Sequence, residues 1–322
     1  LSPNDSMRSF PKPVRPEPYC VGRNRNQTAM KHHSRRDVLR ELGIGAAVFS
    51  VGTGSARPQS ISAEESSETG DSKSRPGMLM AIAAHPGDAL FAMGLAVARQ
   101  VSAGGRGIFL NLTHGERGSP AIAPAEYGAM QVSATDKAAK ILGAETAYLS
   151  YPDGELPDNE EARFAVCDAI RQHKPEIIIT HWKGSYHKDH RACYNIVDDA
   201  IFYAGLPGIK RKLPAHSVSK LLFAENWEDA KGFRQDIYLD VSDVFSRWVE
   251  ACAGFPMWRG ETGFHYDDYY QSLAVARGSL ARIGEKDSRR FKYAVALMSP
   301  PDYGARRTGS LSSPAIAGQS TI

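Results

Sequence analysis

The sequence predicts an α/β fold of the Rossmann-like kind, a mostly parallel, doubly wound sheet in a single domain over residues 77–299. Three observations predict it: short unbroken apolar runs of strand length, longer stretches with helical spacing between them, and glycines where those stretches stop. Residues 78–84 are continuously apolar, as in a strand buried on both faces. In residues 89–103, Leu90, Phe91, Gly94, Val97, Ala98 and Val101 recur at helical spacing, and Gly104-Gly105 supplies the stop. The alternation repeats as strand 107–112, helix 127–142 ended by Gly143, strand 146–151, helix 160–173 and strand 176–180. Farther on, 220–224 and 236–241 read as strands, and 244–253 and 268–283 as helices. From residue 300 to 322 Pro, Gly and Ser dominate, which predicts a flexible tail.

Composition narrows the function classes. Hydrophobic residues make up 42% of the 322, enough for a full-sized core. Lys and Arg number 39 against 36 Asp and Glu, a net charge of +3, and the excess is local. Residues 1–56 hold nine basic and four acidic groups, so the remainder holds 30 basic and 32 acidic. A folded part with a net charge of −2 has no nucleic-acid footprint. No apolar run reaches the roughly 18 residues of a membrane span. Cys20, Cys167, Cys193 and Cys252 show no paired spacing and imply no disulfide framework.

The N-terminal region reads as an address. Met30-Lys-His-His-Ser-Arg-Arg-Asp-Val-Leu39 sets paired arginines before an apolar segment, residues 44–51, that closes in Gly54-Ser55-Ala56. Charged region, apolar region and small-residue cleavage site, in that order, describe a signal peptide of the twin-arginine type over 30–56. The expectation is an exported protein, periplasmic or extracellular, or held at the membrane if the signal is uncleaved. Residues 1–29, with Pro11, Pro13, Pro16 and Pro18, read as disordered or as an artefact of start-site choice, and 57–76 as a linker.

Ligands of a doubly wound sheet bind beyond the carboxyl ends of its strands. Those positions are rich in metal-type ligands: Ala84-His85-Pro86-Gly87-Asp88 after the first strand, Thr113-His114-Gly115-Glu116 after the second, and Pro152-Asp153-Gly154-Glu155 after the third. His181 and His187-Lys188-Asp189-His190 follow the fourth. No glycine-rich phosphate loop follows the first strand, which argues against a dinucleotide. His85 and Asp88 lie three apart, as do His187 and His190, so groups from both motifs can converge as two histidines and a carboxylate, the donor set of a catalytic zinc site.

These motifs resemble the PIG-L/LmbE-like zinc-dependent deacetylases, which remove N-acetyl groups from glucosamine-containing and related substrates. The resemblance covers about residues 78–298. It rests on Ala84-His85-Pro86-Gly87-Asp88, where the family has Ala-His-Pro-Asp-Asp, on Leu112-Thr113-His114-Gly115-Glu116, on Tyr151-Pro152-Asp153-Gly154 and on His187-Lys188-Asp189-His190-Arg191-Ala192. It implies zinc, or another divalent metal, on His85, Asp88 and His190. It further implies His187, protonated, as the group that stabilises the oxyanion, and Asp189 as the partner orienting it. Glu116 and Asp153 match positions near the substrate, with Asp153 equally readable as a turn residue. His114, Trp182 and Tyr186 are further substrate-side candidates, as aromatic groups flanking the motifs.

The chain also departs from the family. The general-base Asp is Gly87, and two other family acids are replaced by Ala134 and Val295. General-base help is worth about 10²- to 10⁴-fold in rate. Its loss leaves two readings open: an N-acyl hydrolase in which Glu116 or Asp153 takes over as base, or a catalytically degenerate, zinc-bearing domain that binds a sugar or other acylated ligand. Either way the partner is a small molecule or glycan.

Overall fold

The computed structural model describes residues 76–283, 286, 291–301 and 319–321, all within one unit beginning at Gly70. The expected signal peptide and most of the expected linker lie outside the described residues. The elements run β1 (Met78–Ala83), α1 (Pro86–Phe91), α2 (Gly94–Ser102), β2 (Arg106–Thr113), α3 (Pro124–Leu142), β3 (Glu145–Tyr151), α4 (Glu160–His173) and β4 (Ile177–Thr180). They continue with α5 (Lys188–Gly205), β5 (Lys220–Ala224), a 3₁₀ turn (Trp227–Asp229), β6 (Ile237–Asp240), α6 (Phe245–Cys252), α7 (Tyr266–Ala281), β7 (Ala294–Met298) and β8 (Gln319–Thr321).

One sheet holds all the strands in the order β3-β2-β1-β4-β5-β7-β6-β8. From β3 to β5 every pairing is parallel, and β7 adds antiparallel to β5 and to β6. The Rossmann-like expectation is met. Strand β1 shows why its residues are apolar throughout: Leu79, Ala81 and Ala83 belong to one core cluster, and Met80 and Ile82 to the other, on the opposite face. The strand order reverses between β1 and β4, so the crevice of the sheet opens above the ends of these two strands.

Three differences from the sequence expectation have physical causes. The helix expected over 89–103 is broken at Ala92–Met93. Trp248 on α6 donates its indole N–H to Leu90 O at 2.9 Å, the carbonyl that Gly94 N would take in a continuous helix. Gly94 permits the approach, since a Cβ there would lie 3.1 Å from Trp248 Nε1. Second, β7 is an additional strand, formed by a five-residue run too short to show periodicity. Third, residues 319–321, at the end of the expected tail, pair with β6 as an edge strand.

Helix α5 carries His190 in its first turn and is held firmly at its other end. Arg171 of α4, 1% exposed, donates to Tyr203 O (2.9 Å), Leu206 O (3.0 Å), Ile209 O (3.0 Å) and Leu213 O (3.1 Å). One guanidinium therefore satisfies the carbonyls at the C-terminal end of α5 and in the loop beyond it. Among the described residues no helix is long and apolar enough to cross a membrane.

Candidate metal centre

Strand β1 ends at Ala83, and Pro86 opens α1 with its fixed φ, so His85 and Asp88 project above the crevice from the first turn of a helix. Strand β4 ends at Thr180, and His187 caps α5, bringing His190 over the same point. Asp88 Oδ2 is the meeting place: His85 Nδ1 lies 3.0 Å from it and His190 Nε2 3.1 Å. Asn226 fixes the other oxygen, donating to Asp88 Oδ1 at 2.8 Å. The three residues expected to hold a metal are thus together. His187 joins them, its ring centroid 4.8 Å from that of His85 and 4.5 Å from that of His190.

His85 and His190 each turn a second nitrogen to carboxylates. His85 Nε2 lies 3.0 Å from Asp153 Oδ1 and 3.4 Å from Asp189 Oδ2. His190 Nδ1 lies 2.8 Å from Asp229 Oδ1. This is the outer-shell arrangement that orients metal-binding histidines. The free atom is His190 Nε2, which is buried and makes no directed hydrogen bond, although Asp88 and a Glu228 oxygen at 3.5 Å are near. Donor spacings of 3.0 and 3.1 Å approach the roughly 3.4 Å edge of a tetrahedron with zinc–nitrogen bonds of about 2.1 Å. The residues present fit a metal, and one nitrogen from each of His85, His187 and His190 lies within 4.8 Å of the others.

The electrostatics of the metal-free site follow from crowding charges in a dry pocket. Burial works against charging His190, yet the Asp88 charge and the Asp229 hydrogen bond push it up to about 9. Burial likewise opposes charge on His85, and hydrogen bonds to Asp153, Asp189 and Asp88 raise it well above the ordinary value. His187 goes the other way, to about 4, through burial and then the charges on His85 and His190. Burial and the neighbouring Asp88 charge push Glu228 up.

The other expected residues take the following places. In the metal-free site burial, and then the charges on His85 and His190, lower the His187 pKa to about 4, which favours its neutral form. Its Nδ1 accepts from Asp189 N at 3.2 Å, so its proton sits on Nε2. The Asp189 carboxylate does not orient His187; it accepts from Gly154 N (2.6 Å) and Leu156 N (3.2 Å) and faces His85. Asp153 is a partner of His85 rather than a free substrate group. Glu116 supports it, accepting from Asp153 N at 2.9 Å with one oxygen while its other oxygen is buried without a hydrogen bond. Trp182, 5% exposed, packs in the core and donates to Lys231 O, away from the opening. His114 sits at the end of β2 with its ring edge-on to Tyr148. Tyr186 is 64% exposed at the mouth, its hydroxyl donating to Glu228 Oε1 at 2.8 Å.

Sequence reading missed Asn226, Glu228 and Asp229. They follow β5, at the carboxyl end of a parallel strand, where the rule that points to the other site residues also points.

Gly87 faces apolar neighbours. A Cβ there would meet Met257 Sδ at 3.2 Å, Phe91 Cε2 at 3.4 Å and Phe255 Cε1 at 3.8 Å. Ala134 lies in the same apolar cluster and Val295 packs against it. Gly87→Ala should change stability by less than about 1 kcal/mol, since the flexible thioether can shift and helix propensity improves. Gly87→Asp should cost about 2 kcal/mol by burying a carboxylate against apolar groups, lowering Tm by about 4–8 °C in calorimetry. It should bring no gain in turnover. An unchanged Tm together with a gain in activity would show that Met257 does not wall off the position.

Residues 80–201 match the family described as PIG-L: GlcNAc-PI de-N-acetylase. A 4-oxalmesaconate hydratase from Pseudomonas putida is 25% identical over 234 residues, 68% of this chain and 88% of that protein. A diacetylchitobiose deacetylase from Thermococcus kodakarensis is 26% identical over 233 residues, 68% of this chain and 84% of that protein. The crystal structure of a 4-carboxy-2-hydroxymuconate hydratase from Pseudomonas putida superposes with a TM-score of 0.65 at 23% identity, covering 73% of this chain and all of the other.

Proposed function

We infer that this chain, a member of the PIG-L family across residues 80–201, is a zinc-dependent hydrolase that removes an N-acyl group from an amino-sugar-like substrate. The observation that carries the reading is His190 Nε2, buried and without a directed hydrogen bond beside Asp88 Oδ2 and His85. His85, Asp88 and His190 would hold the metal, which supplies Lewis-acid polarisation of a carbonyl and a lowered pKa for water.

The chain's own groups supply the rest. His187, neutral with its proton on Nε2, offers a hydrogen bond to a carbonyl oxygen whose charge grows during attack. Glu228 is the carboxylate best suited to take a proton. Its Oε2 lies 3.5 Å from His190 Nε2, its Oε1 is fixed by Tyr186, and it holds protons more readily than an ordinary carboxylate. It would take the role of the base that Gly87 cannot supply. Tyr186, Trp227 and Phe264 form an aromatic rim, with the last two stacked at 4.6 Å, suited to the faces of a sugar ring.

A second reading, addition of water to an unsaturated acid, is favoured by the match to the hydratase from Pseudomonas putida over 88% of its length. The test offers the zinc-loaded chain a panel of N-acetyl amino sugars and a panel of unsaturated dicarboxylic acids. Release of acetate and free amine supports the hydrolase. Loss of the conjugated double bond's absorbance, without amine release, supports the hydratase. Zinc binding without turnover on either panel leaves the degenerate binding domain. Export is part of the same proposal, supported by Arg35-Arg36 ahead of the apolar stretch 44–51, and fractionation of cells expressing the full chain checks it.

A further inference from the structure

The pair formed by Asp229 and His181 lies behind the metal centre, and its hydrogen bonds can be followed atom by atom. Ala84 N donates to His181 Nε2 at 3.1 Å. A backbone amide can only donate, so that ring nitrogen carries a lone pair and the proton of His181 is on Nδ1. Nδ1 lies 2.9 Å from Asp229 Oδ2 and donates to it. Asp229 Oδ1 lies 2.8 Å from His190 Nδ1. A carboxylate has no proton to give, so His190 Nδ1 must donate, and the lone pair of its neutral ring is left on Nε2. Asp229 and His190 are wholly buried and His181 is 1% exposed, and the rings of the two histidines stack at 3.9 Å.

We propose that Asp229 is a positioning residue that keeps the His190 Nε2 lone pair available to the metal, and that His181, locked by the β1 backbone, enforces this role. His181 is then not itself a ligand, because its Nε2 is taken by Ala84. The inference rests on the metal-site reading above.

Asparagine at 229 is the informative change, since it keeps the shape and exchanges one acceptor oxygen for a donor. The Asn oxygen has to face His181, whose Nδ1 proton is fixed by Ala84. The NH₂ then faces His190 Nδ1, which becomes an acceptor, and the ring proton moves to Nε2, where the metal would bind.

Zinc titration of the full chain should show Asp229→Asn weakened at least about 10- to 100-fold, the scale of outer-shell losses. The double variant Asp229→Asn/His181→Leu frees the amide to turn its oxygen to His190 and should regain most of that affinity. A merely structural role predicts that the second substitution adds to the loss. Nitrogen-15 NMR of the metal-free parent should place the His181 proton on Nδ1, a readout that survives if a variant fails to fold. Asp229→Asn with parental affinity, a double variant no tighter than the single, or a His181 proton on Nε2 would each overturn the proposal. A parent that takes up no zinc overturns the functional reading instead.

Discussion

Replacing His190 with alanine should abolish zinc uptake and lower the stability of the metal-free chain by about 3 kcal/mol. His190 is wholly buried and lies between Asp88 and Asp229, which are 3.1 and 2.8 Å away. Among the described residues, its removal leaves Asp229 with His181, and Asp88 with His85 and Asn226, for compensation. Breaking a buried pair costs more than an exposed one because the abandoned charge remains desolvated. Thermal melts with and without zinc separate the two effects. Zinc at about 100 times its dissociation constant should stabilise the parent by about 2.7 kcal/mol, and the variant not at all. A variant still stabilised by zinc would place the metal elsewhere.

Between pH 6.5 and 9, zinc affinity and metal-free stability should move in opposite directions. His190 has its folded pKa raised to about 9, so its contribution to stability is complete below about 6.5 and is lost as pH rises through about 9. A metal needs that nitrogen without its proton. Each pH unit in the window should therefore tighten zinc about tenfold for one displaced proton, while the metal-free protein becomes easier to unfold. His85, also raised, acts in the same sense. Chelator competition and urea titration of the metal-free chain measure the two curves. An affinity that is flat across the window would mean that His190 is not a ligand.

How much of this was legible depended on spacing. His85 with Asp88 sits just after β1, and His187 with His190 opens the helix that follows β4, so local sequence showed them and strand order brought them together. Asp229 is 39 residues beyond His190 and joined to it only by the return of the chain through β5. No local spacing encodes that contact. The apolar wall at Gly87 was half legible: the glycine was visible, but Met257, 170 residues on, was not assignable to its side. The break at Ala92 was hidden for a similar reason, because a distant indole claims Leu90 O.

The Arg171 clamp has a consequence for how such a protein can diverge. Helix α5 is fixed at one end by four carbonyl contacts and at the other by Asp189, which grips the backbone of Gly154 and Leu156. The opposite side of the opening is different in kind. Residues 254–266 include Gly260 and Gly263 at positive φ, Met257 against Gly87, and Phe264 stacked on Trp227. Substitutions there can reshape what enters without moving His187 or His190. The residues that fix α5 and the residues 254–266 are thus separate stretches of sequence, and the second can change while the first stay intact.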